Sequence, residues 1–454
     1  MFRRRLPIPA AVRSPSRCLA GAALALAALS ASGFVNAEAA SQIGALHAPT
    51  NYSGPPLTLA AAGELALEAQ PVLLSRTASI AARDDAAVVA AQLPDPTLMS
   101  GLRDVPVNSR ERFSLRKDDF TEFTVGVRQE FPRGAKRRLR GARQQLQADA
   151  ERFVLADEQR AVRRDAGLAW LEVYAAEQGL LLAHALALEA TLQAQALAKD
   201  YRNGAAAQAD WLEAKVDGGL AADQEHDWLH RAQRARAGLA RWLGEQPARR
   251  PLAALPAGIS LAGGNSLPTG LAALLARVEM HPRLSGAGKQ IDAAGADVAL
   301  ARQSYKPDFA VEGYFAWRQD FPDFVGLQVS VDLPLFTHDR QNRALAGALH
   351  LADASAEQRN DLLRSLRAEV EQAYVDWRHY ASRAAEFDSQ ILSDARRRSA
   401  AAQAAYAAGR GSFAAILAAR RNALDVQLQR LTLVVESVRA QVRLQYLVGE
   451  GDTP

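Results

Sequence analysis

Two neighbouring segments in the second half of the chain alternate between apolar and polar positions with a period of two. Their apolar members are Phe309, Val311, Phe315 and Trp317 in the first segment, and Val325, Leu327, Val329, Val331 and Leu333 in the second. This period predicts two β-strands, each with one apolar and one polar face. The short linker 319–323 contains a proline and two aspartates, which predicts that the two strands form a hairpin.

The first half of the chain carries a weaker version of the same pattern. Phe123, Val125 and Val127 alternate with polar neighbours and predict a third strand. Its partner is expected at about residues 97–107, where Pro106 and two charged residues weaken the pattern. The sequence therefore predicts four strands, two in each half.

Two long segments lack proline altogether. No proline occurs between Pro132 and Pro247, or between Pro334 and Pro454, so nothing in these segments forces a helix to break. Residues 134–203 would reach about 100 Å as one helix at ~1.5 Å per residue. A second long helix is expected from about residue 340 to residue 408. Helices of this length need partners along their sides, because intrinsic propensity alone does not hold them together.

Apolar residues recur within both segments at intervals of three, four and seven residues. They are Leu155, Val162, Ala169, Val173 and Leu180 in the first segment, and Leu363, Leu366, Val370, Tyr374 and Trp377 in the second. This spacing is typical of coiled-coil packing, with Arg, Glu and Gln on the remaining faces.

Each long helix ends in a Tyr-x-x-Gly sequence, Tyr201 to Gly204 in the first half and Tyr406 to Gly409 in the second. Glycine readily adopts the left-handed conformation that ends a helix, so each chain segment is expected to turn back here. A second helix then returns, over residues 208–243 and 412–448. The prediction is two helical hairpins, each with its tip at a Tyr-x-x-Gly sequence.

The same landmarks appear in the same order in both halves. Pro282 and Pro307 repeat Pro71 and Pro96 at an offset of 211 residues, and the two Tyr-x-x-Gly sequences are offset by 205. Such self-similarity predicts a duplication. The first structural repeat, residues 38–250, would contain a helix, strands and a long helical hairpin, and the second, residues 251–454, would contain the same elements. The predicted fold class is mainly α with a small β part.

The first 37 residues have the layout of a targeting segment. Five arginines are followed by an apolar run at residues 19–29, and Val35-Asn36-Ala37 is an A-x-A-like cleavage site. This layout predicts a secretory signal peptide at residues 1–37. Its removal takes five positive charges from a formal net charge of +4 and leaves about −1. The basic balance therefore belongs to the leader, and nucleic acid is not expected as a partner.

Strands of about ten residues with one apolar face fit a transmembrane β-barrel, and they equally fit a small soluble sheet lying on the helices. Four strands cannot sit in lipid alone, because the backbone groups at the sheet edges would lack hydrogen-bond partners. A barrel therefore requires several chains. Two chains would supply about eight strands and three about twelve, and only the larger barrel leaves room for a passage.

Motifs for catalysis and cofactor binding are missing from the sequence. It contains no phosphate loop, nucleotide fingerprint or nucleophile elbow. His226 and His230 have the i, i+4 spacing of metal ligands but no third ligand, and Cys18, the only cysteine, lies in the leader. The sequence thus predicts no enzyme activity, cofactor or metal site, and favours a passive conduit. The alternative is a periplasmic coiled-coil scaffold or adaptor without a membrane barrel, which accounts for the helices equally well.

The signal peptide, the duplicated helix–hairpin–long-helix unit and the paired Tyr-x-x-Gly tips resemble those of the TolC-like outer membrane factors. The resemblance covers nearly all of the chain after the leader. Three short sequences are most similar to the heavy-metal efflux branch of that family: Ala-Gln-Leu-Pro-Asp-Pro at 91–96, His-Pro-Arg-Leu at 281–284 and Tyr-Lys-Pro-Asp-Phe at 305–309.

The resemblance implies a channel subunit of the outer membrane that serves a tripartite efflux or type I-like export system. In that family a homotrimer builds a twelve-strand outer-membrane β-barrel from four strands per chain, above a periplasmic α-barrel of helical hairpins. A periplasmic adaptor (membrane fusion protein) and an inner-membrane pump are implied as partners, with outer-membrane lipid around the barrel. The heavy-metal branch implies metal cations as substrates.

The resemblance also assigns roles to the tip residues. Tyr201, Gly204, Tyr406 and Gly409 would close the periplasmic tunnel and dock the adaptor. Family members often place acidic residues just after the second tip, where this chain has alanines instead.

Acidic residues follow the first tip rather than the second. Asp210 and Glu213 are three positions apart and share one helical face, so they are candidates to line the pore as rings that favour cations. An ordinary solvated helix face is the alternative. Arg410, Arg420 and Arg421 are candidates to pair with these acids and latch the closed state.

Overall fold

The computed structural model describes residues 55–108, 110, 112–204, 206–255 and 270–449. The predicted signal peptide at residues 1–37 and Cys18 lie outside this part of the chain. The described residues are mostly helical, with one small antiparallel sheet.

The first half begins with two short helices, continues through two strands and ends in a long helical hairpin. Its elements are α1 (Leu59–Ala69), α2 (Pro71–Ala91), β1 (Thr97–Arg103), β2 (Glu122–Phe131), α3 (Gly134–Arg202), α4 (Gln208–Leu243) and the four-residue helix α5 (Glu245–Ala248).

The second half runs through the same kinds of element in the same order. Its elements are α6 (Leu271–Val278), α7 (Pro282–Gln303), β3 (Phe309–Trp317), β4 (Phe324–Val331), α8 (Gln341–Glu386), a π-helical segment (Phe387–Ile391), α9 (Leu392–Ala407) and α10 (Phe413–Val448). The boundaries of the two repeats at residues 38–250 and 251–454 stay a prediction.

Several helix starts follow from local sequence. Pro71 and Pro282 occupy the first turns of α2 and α7, where a missing N–H costs nothing. The Ala61 N–H donates to Oγ1 of Thr58 at 3.1 Å and so caps α1. The Ala415 N–H donates to Oγ of Ser412 at 3.2 Å and caps α10 in the same way.

The four strands pair antiparallel in chain order, β1-β2-β3-β4. One row of paired residues crosses the whole sheet, from Ser100 through Val125 and Phe315 to Val325. The central pair, β2 and β3, joins the two halves of the chain. β1 and β4 are the two edges, so the sheet is open within the part of the chain that the structure describes.

The core lies where α1, α3, α4 and α10 pack together. Trp170 of α3 is wholly buried there, and its Nε1 donates to the carbonyl oxygen of Leu57 at 2.9 Å. A second cluster joins α6, α7, α8 and α10 around Leu284, Leu366 and Leu444. The apolar stripes predicted for the long helices are the residues that supply much of this burial, including Val162.

The structure corrects three boundaries. The second long helix is interrupted by the π-helical segment, where Nη2 of Arg430 on α10 pairs with Oδ2 of Asp388 at 3.0 Å. β4 ends at Val331, so Leu333 lies beyond the strand. β1 ends at Arg103, before Pro106, because Asp104 has a left-handed backbone with a φ of 58°.

One described helix, α3, contains an 18-residue window with a mean hydropathy of 1.3, which by length and composition alone is apolar enough to cross a membrane. The same stretch packs against α4 through Leu180, Ala187 and Ala190, as expected for a helix in a coiled-coil hairpin.

Candidate functional site

The sheet has one continuous apolar face, and this face is exposed. The residues on it are Leu98 and Leu102 of β1, Phe123, Val125 and Val127 of β2, Phe309, Phe315 and Trp317 of β3, and Val325, Leu327, Val329 and Val331 of β4. Val325 is 84% and Leu327 76% exposed, so nothing in the described part of the chain covers β4. Along β2 the apolar face runs from Phe123 to Phe131, about 27 Å at ~3.4 Å per residue, close to the ≈ 25 Å apolar band of outer-membrane barrels.

The opposite face of the sheet carries charged and polar side chains. Arg103 of β1 forms an ion pair with Glu312 of β3 at 3.8 Å, and its guanidinium lies 5.4 Å from the centre of the Tyr314 ring. Tyr314 in turn lies against Gly326 of β4, where a Cβ atom would come within 2.2 Å of the Tyr314 ring. The two faces therefore differ as the wall of a water-filled passage requires, apolar on one side and polar on the other.

Arg318 ties together the two strand connections at one end of the sheet. Its guanidinium donates to the carbonyl oxygen of Asp119 at 2.7 Å and twice to that of Pro322, at 2.9 and 2.7 Å. It also lies 3.8 Å from the centre of the Phe324 ring. The sequence pattern pointed to the hairpin but not to this arginine, because one of its partners, Asp119, lies in a loop 199 residues away along the chain.

The two predicted tips are turns built on left-handed glycines. Gly204 has a φ of +71° and Gly409 a φ of +69°, and each N–H donates to the carbonyl oxygen of the tyrosine three residues earlier, at 3.0 and 2.9 Å. No side chain crowds either glycine, so the requirement at both positions is the backbone conformation itself. The hairpins predicted from Tyr201–Gly204 and Tyr406–Gly409 are therefore present.

The two tip tyrosines have different surroundings. The Tyr201 ring stacks on Trp211 of α4 with centroids 5.5 Å apart and planes at 7°. Tyr406 is 40% exposed and Tyr201 37%. Both rings therefore keep an apolar surface at the end of the hairpins.

The structure places Asp210 and Glu213 in the first two turns of α4, next to the first tip, and both are exposed. Among the described residues neither carboxylate forms an ion pair. Their role as pore-lining residues stays a prediction.

Two of the three predicted latch arginines form ion pairs, but with other acids than those predicted. Nη2 of Arg421 pairs with Oδ1 of Asp217 on α4 at 2.9 Å, and Arg420 pairs with Glu189 on α3. Arg410 lies in the second tip, where its N–H donates to the carbonyl oxygen of Ala405 at 2.9 Å. Arg420 and Arg421 thus join the second hairpin to the first, well above the tips.

A buried polar cluster joins the two halves near the other end of the long helices. His281, before α7, is almost completely buried, with its Nε2 3.8 Å from Oδ1 of Asp157 on α3. The hydroxyl of Tyr446 on α10 donates to the same carboxylate oxygen at 3.0 Å. Burial, with the nearby charges of Arg160 and Arg283, lowers the pKa of His281 to about 4. Burial also raises the pKa of Asp157.

The residues that the structure describes contain no group of three or more His, Cys, Asp or Glu side chains arranged to hold a metal ion. His226 and His230 are both exposed on α4.

Part of the chain matches a known protein family. Residues 277–450 match the outer membrane efflux protein family. This match begins at the end of α6 and continues through α10. No curated protein has a significantly similar sequence.

Several solved structures share the fold across most of the chain. The CmeC outer membrane channel of Campylobacter jejuni is similar with a TM-score of 0.73 at 13% identity, covering 86% of this chain and 85% of that one. For CusC, described as forming a transmembrane channel, the TM-score is 0.72 at 14% identity, with 87% and 92% covered. For a membrane protein from Pseudomonas aeruginosa it is 0.71 at 16% identity, with 86% and 92% covered.

The family match and the shared fold are both those of an outer-membrane efflux channel with a large periplasmic helical part. The sequence prediction of a TolC-like fold, an outer-membrane location and an efflux role is thereby confirmed. The family comprises channel proteins rather than enzymes.

Proposed function

We propose that three copies of this chain form the outer-membrane duct of a tripartite efflux or export machine. A periplasmic adaptor docks at the hairpin tips, and an inner-membrane pump supplies the energy for transport. The observation that carries the proposal is the exposed apolar face of the four-stranded sheet, together with its two open edges.

The open edges explain why several chains are needed. The N–H and C=O groups at the free sides of β1 and β4 have no partner strand among the described residues, and lipid supplies none. Joining β4 of one copy to β1 of the next closes the sheet and removes both edges. Three copies give about twelve strands, which leaves a lumen, whereas two give about eight, whose interior side chains fill.

The helical hairpins also carry exposed apolar residues. Leu181, Leu188 and Leu192 form an exposed stripe on α3, and Leu212, Val216 and Leu220 form another on α4. Both stripes repeat at helical spacing on faces that the described chain leaves open. Neighbouring hairpins packed side by side would cover them, and this arrangement yields a helical tunnel below the barrel.

The tips and the nearby ion pairs could together open and close the tunnel entrance. The aromatic tips at Tyr201 and Tyr406 offer a docking surface for an adaptor, while Arg420 and Arg421 hold the two hairpins together. In a trimer the exposed carboxylates of Asp210 and Glu213 would form rings near the tunnel entrance. Such rings favour cations, metal cations among them.

The alternative predicted from the sequence, a periplasmic coiled-coil scaffold, leaves the apolar sheet face in water. A contiguous exposed patch of this kind is rare on soluble proteins. The duct places the same face against lipid.

Cysteine labelling tests the membrane placement, because the chain has no cysteine after Cys18. Leu327→Cys places a thiol on the apolar face and Gln328→Cys places one on the polar face of the same strand. In intact cells a water-soluble maleimide should label the Gln328→Cys protein through the lumen and leave the Leu327→Cys protein unlabelled until it is denatured. Arg396→Cys on α9 serves as the exposed control. Equal labelling of both strand positions would contradict the proposal.

A further inference from the structure

A groove opens where the strands end and the long helices begin. Its volume is about 540 Å³, and its apolar wall consists of Leu93, Phe131, Phe309, Val329 and Val331. The Phe131 and Phe309 rings stack with centroids 5.4 Å apart. The four strand residues belong to the apolar face of the sheet, so the groove is continuous with the surface that the duct turns toward lipid.

The other side of the groove is basic. Arg133 and Arg137 line it together with one acid, Asp308, and Nε of Arg133 donates to the carbonyl oxygen of Pro307 at 3.1 Å. The two arginines begin a stretch in which residues 133, 136, 137, 138, 140 and 143 are all Lys or Arg. These residues occupy the N-terminal turns of α3, which has no acidic residue in its first turn and no side-chain cap. Because the N-terminus of a helix carries partial positive charge, cations there destabilise the helix.

The described part of the protein neutralises this cluster only in part. Lys136 pairs with Asp308 at 2.5 Å, and Arg143 pairs with Asp297 at 2.6 Å. Arg137 has no carboxylate partner among the described residues, and its Nε is buried without a hydrogen-bond acceptor. An anionic group beside Arg137 would offset the positive charge at the start of the helix.

The second strand-to-helix connection has the same character. Leu333, Leu335 and Phe336 are exposed just after β4, and Arg340 and Arg343 follow them at the start of α8. In both halves, apolar residues at or just after the end of a strand are thus followed by basic residues at the start of the next helix. This is the order expected where acyl chains give way to phosphate headgroups.

We propose that the groove is a binding site for an anionic phospholipid. An acyl chain lies along Phe131, Phe309 and Val329, and the phosphate bonds to Arg133 and Arg137, since guanidinium groups bind phosphate oxygens in pairs. The inference rests on the proposed function, because the groove meets a lipid leaflet only when the sheet spans the outer membrane.

Native mass spectrometry of the detergent-extracted protein tests the site. Phosphatidylglycerol and phosphatidylcholine with identical acyl chains are titrated against the wild type and an Arg133→Gln/Arg137→Gln variant. The wild type should bind phosphatidylglycerol in preference to phosphatidylcholine. The variant should bind phosphatidylglycerol roughly 25-fold more weakly, at about fivefold for each of the two lost charges. Its affinity for phosphatidylcholine should not change.

The matched control is Arg396→Gln/Arg398→Gln, which removes two exposed charges from α9. It should bind phosphatidylglycerol like the wild type, and an equal loss in both variants would overturn the site. Inorganic phosphate at the lipid concentration should leave the lipid bound, and displacement by phosphate would assign the groove to a free anion and overturn the lipid.

Two further readouts separate the possible failures. The variant should remain folded, because removing cations from the start of α3 relieves the helix dipole. Phosphatidylglycerol should raise the unfolding temperature of the wild type but not that of the variant. A trimer extracted from the outer membrane that shows no lipid preference would overturn this inference alone. A soluble monomer would overturn the proposed function with it.

Discussion

Tyr314 is the side chain that most restricts its neighbours on the polar face of the sheet. A Cβ on Gly326 would stand 2.2 Å from the Tyr314 ring, and a Cβ on Gly126 would stand 2.8 Å from its Cβ. Glycine on both flanking strands therefore lets the ring lie across the sheet. In the proposed duct this ring lines the lumen.

Gly326→Ala should displace the Tyr314 ring from the strand, because no real side chain tolerates such a contact. We expect a loss of about 1–3 kcal/mol in stability, typical of overpacking, and a changed single-channel conductance in planar bilayers. Gly313→Ala is the control, since its added methyl group meets open space. If Gly326→Ala conducts and unfolds like Gly313→Ala, the placement of Tyr314 is wrong.

His281 links stability to pH. Its Nδ1 accepts a hydrogen bond from the N–H of Arg283 at 3.2 Å. Its ring meets Tyr446 edge-on at 5.4 Å. The charged groups around it are Asp157, Arg160 and Arg283. Because its pKa is lowered to about 4, the folded state favours the neutral ring, whereas the unfolded chain binds a proton near pH 6.5.

The His281 contribution is fully present above about pH 6.5 and is lost as the pH falls toward 4. The unfolding temperature of the wild type should therefore fall between pH 6.5 and 5. His281→Asn keeps an oxygen that can accept the Arg283 N–H but cannot titrate, so its unfolding temperature should depend less on pH. Asp157 acts in the opposite direction, because its raised pKa favours the folded state as the pH falls. Identical pH profiles for the wild type and His281→Asn would show that His281 does not carry the effect.

At the scale of elements, the two hairpins are held together by ion pairs from one helix. Arg420 and Arg421 are neighbours on α10, yet they bind different helices of the first hairpin, α3 through Glu189 and α4 through Asp217. Glu189 is 39% and Asp217 20% exposed, so the pairs are accessible to solvent. Each is therefore worth only ~0–1 kcal/mol.

Removing both pairs should shift the duct toward its open state without unfolding it. For an Arg420→Gln/Arg421→Gln variant we expect a higher open probability in planar bilayers, by roughly fivefold for each ~1 kcal/mol lost. High salt should raise the open probability of the wild type and have less effect on the variant, since screening weakens exposed pairs. The Arg396→Gln/Arg398→Gln variant should gate like the wild type. A double variant that stays closed would exclude these pairs as the latch.

Local patterns in the sequence sufficed to predict most of the elements. The absence of proline predicted α3, the glycines at 204 and 409 predicted the tips, and the alternation at residues 309–317 predicted β3 with its observed bounds. Each of these signals lies within the element it predicts, so no knowledge of tertiary contacts was needed.

Features that depend on the register between distant helices could not be predicted in this way. The π-helical segment at Phe387–Ile391 contains neither proline nor glycine, and its Asp388 meets Arg430 only in the folded hairpin. The partners of Arg420 and Arg421, Glu189 and Asp217, are likewise fixed by how the hairpins pack. The prediction chose Asp210 and Glu213 because they are near the tip in sequence, and sequence distance does not determine which side chains face each other across two hairpins.

At the scale of the whole molecule, the described part of one chain exposes more apolar surface than a soluble monomer normally does. The sheet exposes its apolar face and two edges, and the hairpins expose the stripes on α3 and α4. In the proposed duct, lipid would contact the apolar face of the sheet. Further copies of the chain would pair with the sheet edges and pack against the stripes on α3 and α4. The proposed trimeric duct would cover all of them at once.

The most direct test of the trimeric duct is to fractionate cells that express the full chain and to determine the native mass of the detergent-extracted protein. We expect the protein in the outer-membrane fraction, with a mass of three chains that falls to one chain on heating. A soluble monomer or dimer in the periplasm would contradict the duct.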